Sequence, residues 1–284
     1  MSSISRRNFL TTTAAGVGAL SAGALKLSAD PLGMPIGFQT YTVRDAIAED
    51  FQGTLKKMAA IGYKSCELCS PFSYGEFKGA AKYKGAELRR IIEDAGLKCV
   101  SCHFSPADVT DKNLEERIAW SKDLGLTQMI LAAFGLGRNP TLADWKRAAD
   151  NLNKAGETVA KAGLQLGYHN HDMEFEKLDG VLVYDELMKA FDPKVIKMQF
   201  QVAVIAKGYK AEDYMKKYSG RIISLHLADW SSTEKKMVPI GKGVVNWKAL
   251  FQTAKTTGVK NYFVEVEDKD STQLSYPFLH NLKV

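Results

Sequence analysis

The chain has five histidines, and two of them stand one residue apart in LGYHNHDMEF, Leu166 to Phe175, beside Asp172 and Glu174. Imidazoles and carboxylates gathered like this can ligate a divalent metal, move a proton, or do both at one site. The apolar run before them reads as a strand, where alternate side chains share a face. His169 and His171 therefore point one way, and Tyr168 and Asn170 the other. Residues of similar chemistry recur after other apolar runs: Gln39, Tyr41 and Arg44, then Glu67, His103, Gln201, His226, Asp229, Glu265 and Glu267. Any one of these is expected to be a hydrogen-bonded rim residue. Together they are costly to bury unless they share a metal, a substrate or one another.

The elements that must position them alternate along the chain. Strands are predicted near residues 36–41, 65–68, 99–104, 128–132, 165–170, 195–200, 222–227 and 262–266. Amphipathic helices are predicted near 51–61, 86–95, 113–124, 142–162, 184–190, 211–218 and 247–257, several ending in a glycine such as Gly62, Gly125 or Gly258. About eight strands, each followed by a helix, predict an α/β fold, a parallel sheet closed into a (β/α)8 TIM barrel. An open dinucleotide-binding sheet would carry a glycine-rich turn after its first strand, and GFQTYTVRD, Gly37 to Asp45, has none. One domain, 35–284, is the economical reading. In such a barrel the chemistry lies where strands end, which puts four of the five histidines on one rim and leaves His280 in the C-terminal tail.

The formal charge is +6, but Arg6, Arg7 and Lys26 lie in a 29-residue N-terminal segment without an acid, so the remainder carries only +3. That is too little and too evenly spread for a nucleic-acid partner. SRRNFL, Ser5 to Leu10, followed by an alanine- and glycine-rich apolar run, reads as a twin-arginine export signal over 1–29, cut near Ala24 or Ala29. The expectation is an exported, periplasmic protein with no membrane insertion once the signal is removed.

LGYHNHDMEF, ISLHLADW, PIGKGVVNW and NYFVEVED, together with QTYTVRD and GYKSCEL, resemble the sugar phosphate isomerase/epimerase family of xylose-isomerase-like TIM barrels. The resemblance runs from about Gly37 to the C-terminus. It implies a divalent metal at the barrel mouth, held by a glutamate, an aspartate, a histidine and a glutamate from the last four strands. His226 matches the histidine and Glu265 the final glutamate, and His169 or His171 replaces the first glutamate. Gln201, in MQFQV, stands where the family has aspartate. So little protein charge favours zinc, manganese or cobalt over magnesium, with Glu67 and Glu267 able to add more.

The implied activity is a metal-assisted isomerase or epimerase acting on a sugar through an enediolate-like intermediate. Glu265 is expected to take one proton-transfer role, with His103, His171 and Glu174 competing for the other. Gln39, Tyr41, Arg44, Glu67, Asp229 and Trp230 are expected to contact substrate, with Trp247 and Phe104 as further stacking candidates. Without an arginine cluster or glycine-rich turn, a neutral sugar, keto-sugar or oxidised glycoside fits better than a phosphorylated one. The alternatives are a sugar dehydratase or lyase on the same site and a non-catalytic carbohydrate-binding barrel, the latter motivated by Gln201. Nucleic-acid processing conflicts with export and with the thin charge. Homo-oligomerisation is compatible with the sequence.

Cys66 and Cys69 with Cys99 and Cys102 form two CxxC pairs. They fall in strands, where residues three apart face opposite sides, so buried free thiols are expected rather than a zinc ribbon. A Cys66–Cys102 disulfide is the alternative in an oxidising compartment.

Overall fold

A computed structural model of the chain describes residues 30–266 and 269–284. Eight parallel strands form the barrel: β1 Gly37–Gln39, β2 Ser65–Cys69, β3 Lys98–Phe104, β4 Gln128–Leu131, β5 Gln165–His169, β6 Ile196–Gln201, β7 Ile222–Leu227 and β8 Asn261–Val264. Each pairs with its neighbours in chain order, and β8 pairs with β1 to close the ring. The expected (β/α)8 fold is the one observed.

The strands are buried on both faces because helices cover the outside. The longest helix, Leu142–Lys161, shows how: Trp145, Ala149, Leu152, Gly156 and Val159 recur every three or four residues and face inward. A capping box holds its start, the Thr141 side chain accepting from the Asp144 amide while Asp144 accepts from the Thr141 amide. Gly156 lets the helix lie close to the sheet, since a Cβ there would come 2.8 Å from the Ile196 side chain.

Three departures from the predicted pattern matter for the site. β1 stops at Gln39, whose side chain accepts from the Tyr41 amide and turns the chain into a 3-10 turn, Thr40–Val43. Tyr41 thus leaves the sheet and stands at the mouth. Two short hairpins, Lys177–Leu178 with Val181–Leu182 and Asp229–Ser231 with Lys236–Val238, rise from loops. A helix, Lys269–Asn281, closes the chain, and His280 Nδ1 lies 2.7 Å from Asp30 Oδ1, joining the two ends of the described barrel.

The barrel is filled at its floor. Gly37 is level with Phe263 and Gly167 with Ile130. A Cβ on either glycine would come within 2.5 Å and 2.6 Å of those side chains, so each glycine makes room for a large apolar neighbour. All four cysteines are buried and free. Cys66 is level with Cys99, not with Cys102, so the strand register does not bring the alternative disulfide partners face to face. Among the described residues, no helix is long and apolar enough to cross a membrane.

Candidate active site

Above the apolar floor the barrel interior becomes polar, and Glu67 is its centre. Gln39 on β1 and Ser101 on β3 are level with it. Its Oε2 accepts from Gln39 Nε2 at 2.6 Å and from His226 Nε2 at 2.6 Å. Its Oε1 accepts from Ser101 Oγ and from Gln199 Nε2, the latter at 2.8 Å. Full burial would raise its pKa, but the imidazoles of His103 and His226 outweigh that and hold the carboxyl below its ordinary value.

His226 bridges two carboxylates, with Nε2 on Glu67 and Nδ1 2.8 Å from Glu265 Oε2. A ring bonded to an acceptor at both nitrogens is an imidazolium. Burial opposes that charge, yet Glu265 and Glu67 prevail and push its pKa up to about 10. Glu265 begins the loop after β8 and is a fifth exposed. Burial works to raise its pKa, but the neighbouring His226 brings it down to about 2. Gln201, level with His226, donates from Nε2 to Glu265 Oε2 at 2.5 Å, while its Oε1 accepts from the Ala203 amide at 3.1 Å.

His169 at the end of β5 is buried, and among the described residues neither ring nitrogen has a hydrogen-bond partner. Its Nε2 is 4.0 Å from Glu265 Oε2, and its ring centre is 4.4 Å from that of His226, 4.9 Å from His103 and 4.8 Å from His171. Burial, reinforced by His226, holds its pKa well below the ordinary histidine value, so the ring is neutral with a lone pair to give. One nitrogen each from His103, His169 and His226 lie within 4.8 Å of one another. Neutral His169, His226 once released from its proton, and the adjacent Glu265 carboxylate form a donor set that suits a divalent cation with mixed nitrogen and oxygen preference, with His103 beside them.

The cluster opens into a cavity of about 590 Å³. His103, His171, Gln201 and Glu265 form its floor, with Cys69 beside them, while Tyr41, Arg44 and Tyr74 stand at the first-strand side and Met237 comes from the hairpin. The Tyr41 and Tyr74 rings meet edge to face at 6.3 Å, and the Arg44 guanidinium lies 4.5 Å over Tyr41. The His169 and His171 rings meet edge to face, but only His171 lines the cavity, while His169, at the end of β5, is buried.

Several expected site residues lie elsewhere. Gln39 and Glu67 are fully buried beneath the cavity and do not reach its wall. Glu174 is buried behind β5, where it accepts from Tyr168 Oη and from the His171 amide at 2.8 Å, and burial raises its pKa. Asp229 is enclosed: it accepts from the amides of Trp230, Gly241, Gly243 and Val245 and from Trp247 Nε1. Its carboxylate thus holds a loop, and Trp230 sits in the hairpin away from the cavity wall. Phe104 and Trp247 are core residues. Glu267 lies outside the described residues, as does the expected export signal. Sequence reasoning did not single out Gln199, Ser101, Tyr74 or Cys69 as site residues.

A family model described as xylose isomerase-like TIM barrel matches residues 55–281. The chain is 24% identical over 292 aligned residues to an inosose dehydratase of Geobacillus thermodenitrificans, covering 88% of this chain and 92% of that protein. Among solved structures, a sugar phosphate isomerase/epimerase of Parabacteroides distasonis superposes with a TM-score of 0.74 at 24% identity, over 88% of this chain and 99% of that one. The IOLI protein, whose structure has a bound zinc atom, superposes with a TM-score of 0.62 at 12% identity, over 87% of this chain and 94% of that one.

Proposed function

The chain belongs to the xylose isomerase-like TIM barrel family, and on that premise we propose that it is a metal-assisted isomerase or epimerase of a sugar or keto-sugar. The observation that carries the reading is the buried imidazole of His169, without a hydrogen-bond partner at either nitrogen among the described residues, beside His226 and beside Glu265, which lines the cavity. His169, His226 and Glu265 would hold the metal; Gln201 could join them only by releasing the Ala203 amide from its Oε1. Zinc, manganese or cobalt bound there supplies a Lewis acid that polarises a carbonyl oxygen.

The protein's own groups do the rest. Arg44 and Tyr41 at the rim orient hydroxyls or a carboxylate, and Tyr41 and Tyr74 present aromatic edges and faces to a sugar ring. Among the described residues Arg44 is the one arginine or lysine on this wall, which supports a substrate without phosphate. Of Glu265, His103 and His171, one removes the proton on the carbon next to the carbonyl and another returns it. Return at the neighbouring carbon gives an isomer, and return to the opposite face of the same carbon gives an epimer.

The similarity to inosose dehydratases favours a second reading, in which the same intermediate expels a β-hydroxyl as water. Incubation of the zinc-loaded protein with keto-sugars and inososes in deuterium oxide tests both. Deuterium at the α-carbon of a recovered isomer or epimer supports the first reading, and a dehydrated product supports the second. A protein that binds these compounds and exchanges no hydrogen overturns both. We further propose export by the twin-arginine pathway, on the strength of Arg6, Arg7 and the apolar run after them.

A further inference from the structure

His103 differs from the other site histidines in having one nitrogen engaged and one open. Its Nε2 lies 2.6 Å from Gln199 Oε1. Among the described residues its Nδ1 has no hydrogen-bond partner and is not fully buried, and since the residue lines the cavity, Nδ1 faces that space. Which nitrogen carries the proton follows from Gln199. The Gln199 amide nitrogen has two acceptors, Glu67 Oε1 at 2.8 Å and Ser224 Oγ at 3.0 Å. A carboxylate only accepts, so the amide cannot be turned round without facing its oxygen to Glu67. Gln199 Oε1 is thereby fixed toward His103, and Nε2 must donate. Glu67 Oε2 is also 3.2 Å from this nitrogen, but it already takes two 2.6 Å bonds from Gln39 and His226.

We propose that Gln199 is a positioning residue that locks neutral His103 as the Nε2–H tautomer, so that its Nδ1 lone pair is the proton acceptor of the enolising step. This rests on the reading of the site as an enolising enzyme. In the step, the substrate C–H bond breaks and its electron pair becomes the new C=C bond. The carbonyl π pair moves to the carbonyl oxygen, and Nδ1 gains the proton. His103 is then an imidazolium with Nε2–H still on Gln199 and Glu67 3.2 Å away to balance its charge. When the intermediate collapses, Glu265 or His171 returns a proton to carbon and the His103 imidazolium gives its own to solvent through the cavity.

Long-range proton–nitrogen correlation spectra of the full chain, labelled with nitrogen-15 histidine, test the assignment without a substrate. The His103 signals are identified by their loss in His103→Gln. The wild type is expected to show a protonated Nε2 and an unprotonated Nδ1, whereas a protonated Nδ1 overturns the proposal. Gln199→Met is expected to shift the Nε2 signal and bring in the Nδ1–H form, while Ser224→Ala, which leaves Glu67 to hold the amide, keeps the wild-type pattern. An unchanged spectrum in a folded Gln199→Met also overturns it. Added zinc should move the signals of His169 and His226 and leave Nδ1 of His103 in place; a metal-type shift at that atom overturns the base role. With a substrate, Gln199→Met is expected to lose roughly 100-fold in hydrogen exchange at unchanged zinc content. Absence of exchange in the zinc-loaded wild type overturns the enolising reading, and the base role with it, whatever the spectra show.

Discussion

His169 is carried by the fold at a loss. A buried polar group without a partner costs about 1–3 kcal/mol, and both ring nitrogens of His169 are in that position. His169→Leu should therefore raise the melting temperature of metal-free protein, by about 2–4 °C for each kcal/mol regained, and, if the proposed site holds zinc, should abolish zinc retention. Calorimetry and elemental mass spectrometry check the two halves, and a lower melting point together with retained zinc would show that the ring is structural. His169 was legible in the sequence because its type and its one-residue spacing from His171 are rare in a strand end. Gln199 was equally accessible, since period-2 alternation puts it on the face of Gln201 in MQFQV, but a neutral amide gives no hint of function until its hydrogen-bonding neighbours His103, Glu67 and Ser224 are known. Tyr74 could not be read at all, because its place at the cavity depends on how the chain reverses after β2.

Single side chains also organise whole elements. Asp229 gathers the backbone amides of Gly241, Gly243 and Val245 onto one carboxylate, shaping the segment between the hairpin and the helix Trp247–Thr257. Asp229→Ala leaves those donors unmatched and is expected to destabilise by about 3 kcal/mol, with hydrogen exchange rising first at those three amides. If their protection is unchanged, Asp229 does not hold the loop. The motif ISLHLADW marked this residue as important but could not distinguish a loop anchor from a substrate contact, since both need a carboxylate just past a strand. Capping was more readable: Thr141 and Asp144 bracket a helix start by type and spacing. Hydrogen bonds from the Thr141 side chain and backbone, then from Arg147, lower the Asp144 pKa from 3.8 to about 2. A depressed carboxylate stabilises above its ordinary pKa and loses that effect as pH falls through the folded value. The melting-temperature gap between wild type and Asp144→Ala should thus be constant above about pH 4 and close by about pH 2. The long strands and helices were legible because each buries a periodic face, whereas the two hairpins, with strands of two or three residues, were not.

The molecule as a whole is a closed ring of strands with polar chemistry stacked on an apolar floor. Gly37 and Gly167 are what let that floor fill, so Gly37→Ala, which drives a Cβ to 2.5 Å from Phe263, is expected to destabilise by about 1–3 kcal/mol, measured as a lower denaturant midpoint. At the other end of the scale, if the proposed export signal operates, replacing Arg6 and Arg7 by lysine keeps the protein in the cytoplasm, as fractionation of cells would show. Closure of the barrel was foreseeable from strand count, but the glycine and aromatic pairing across β1 and β8 was not, because it joins the two ends of the chain. That same floor makes the cavity a room with one door. Whatever is made inside must leave the way its precursor came in, so product and substrate exclude each other, and initial-rate kinetics should show product inhibition that more substrate overcomes.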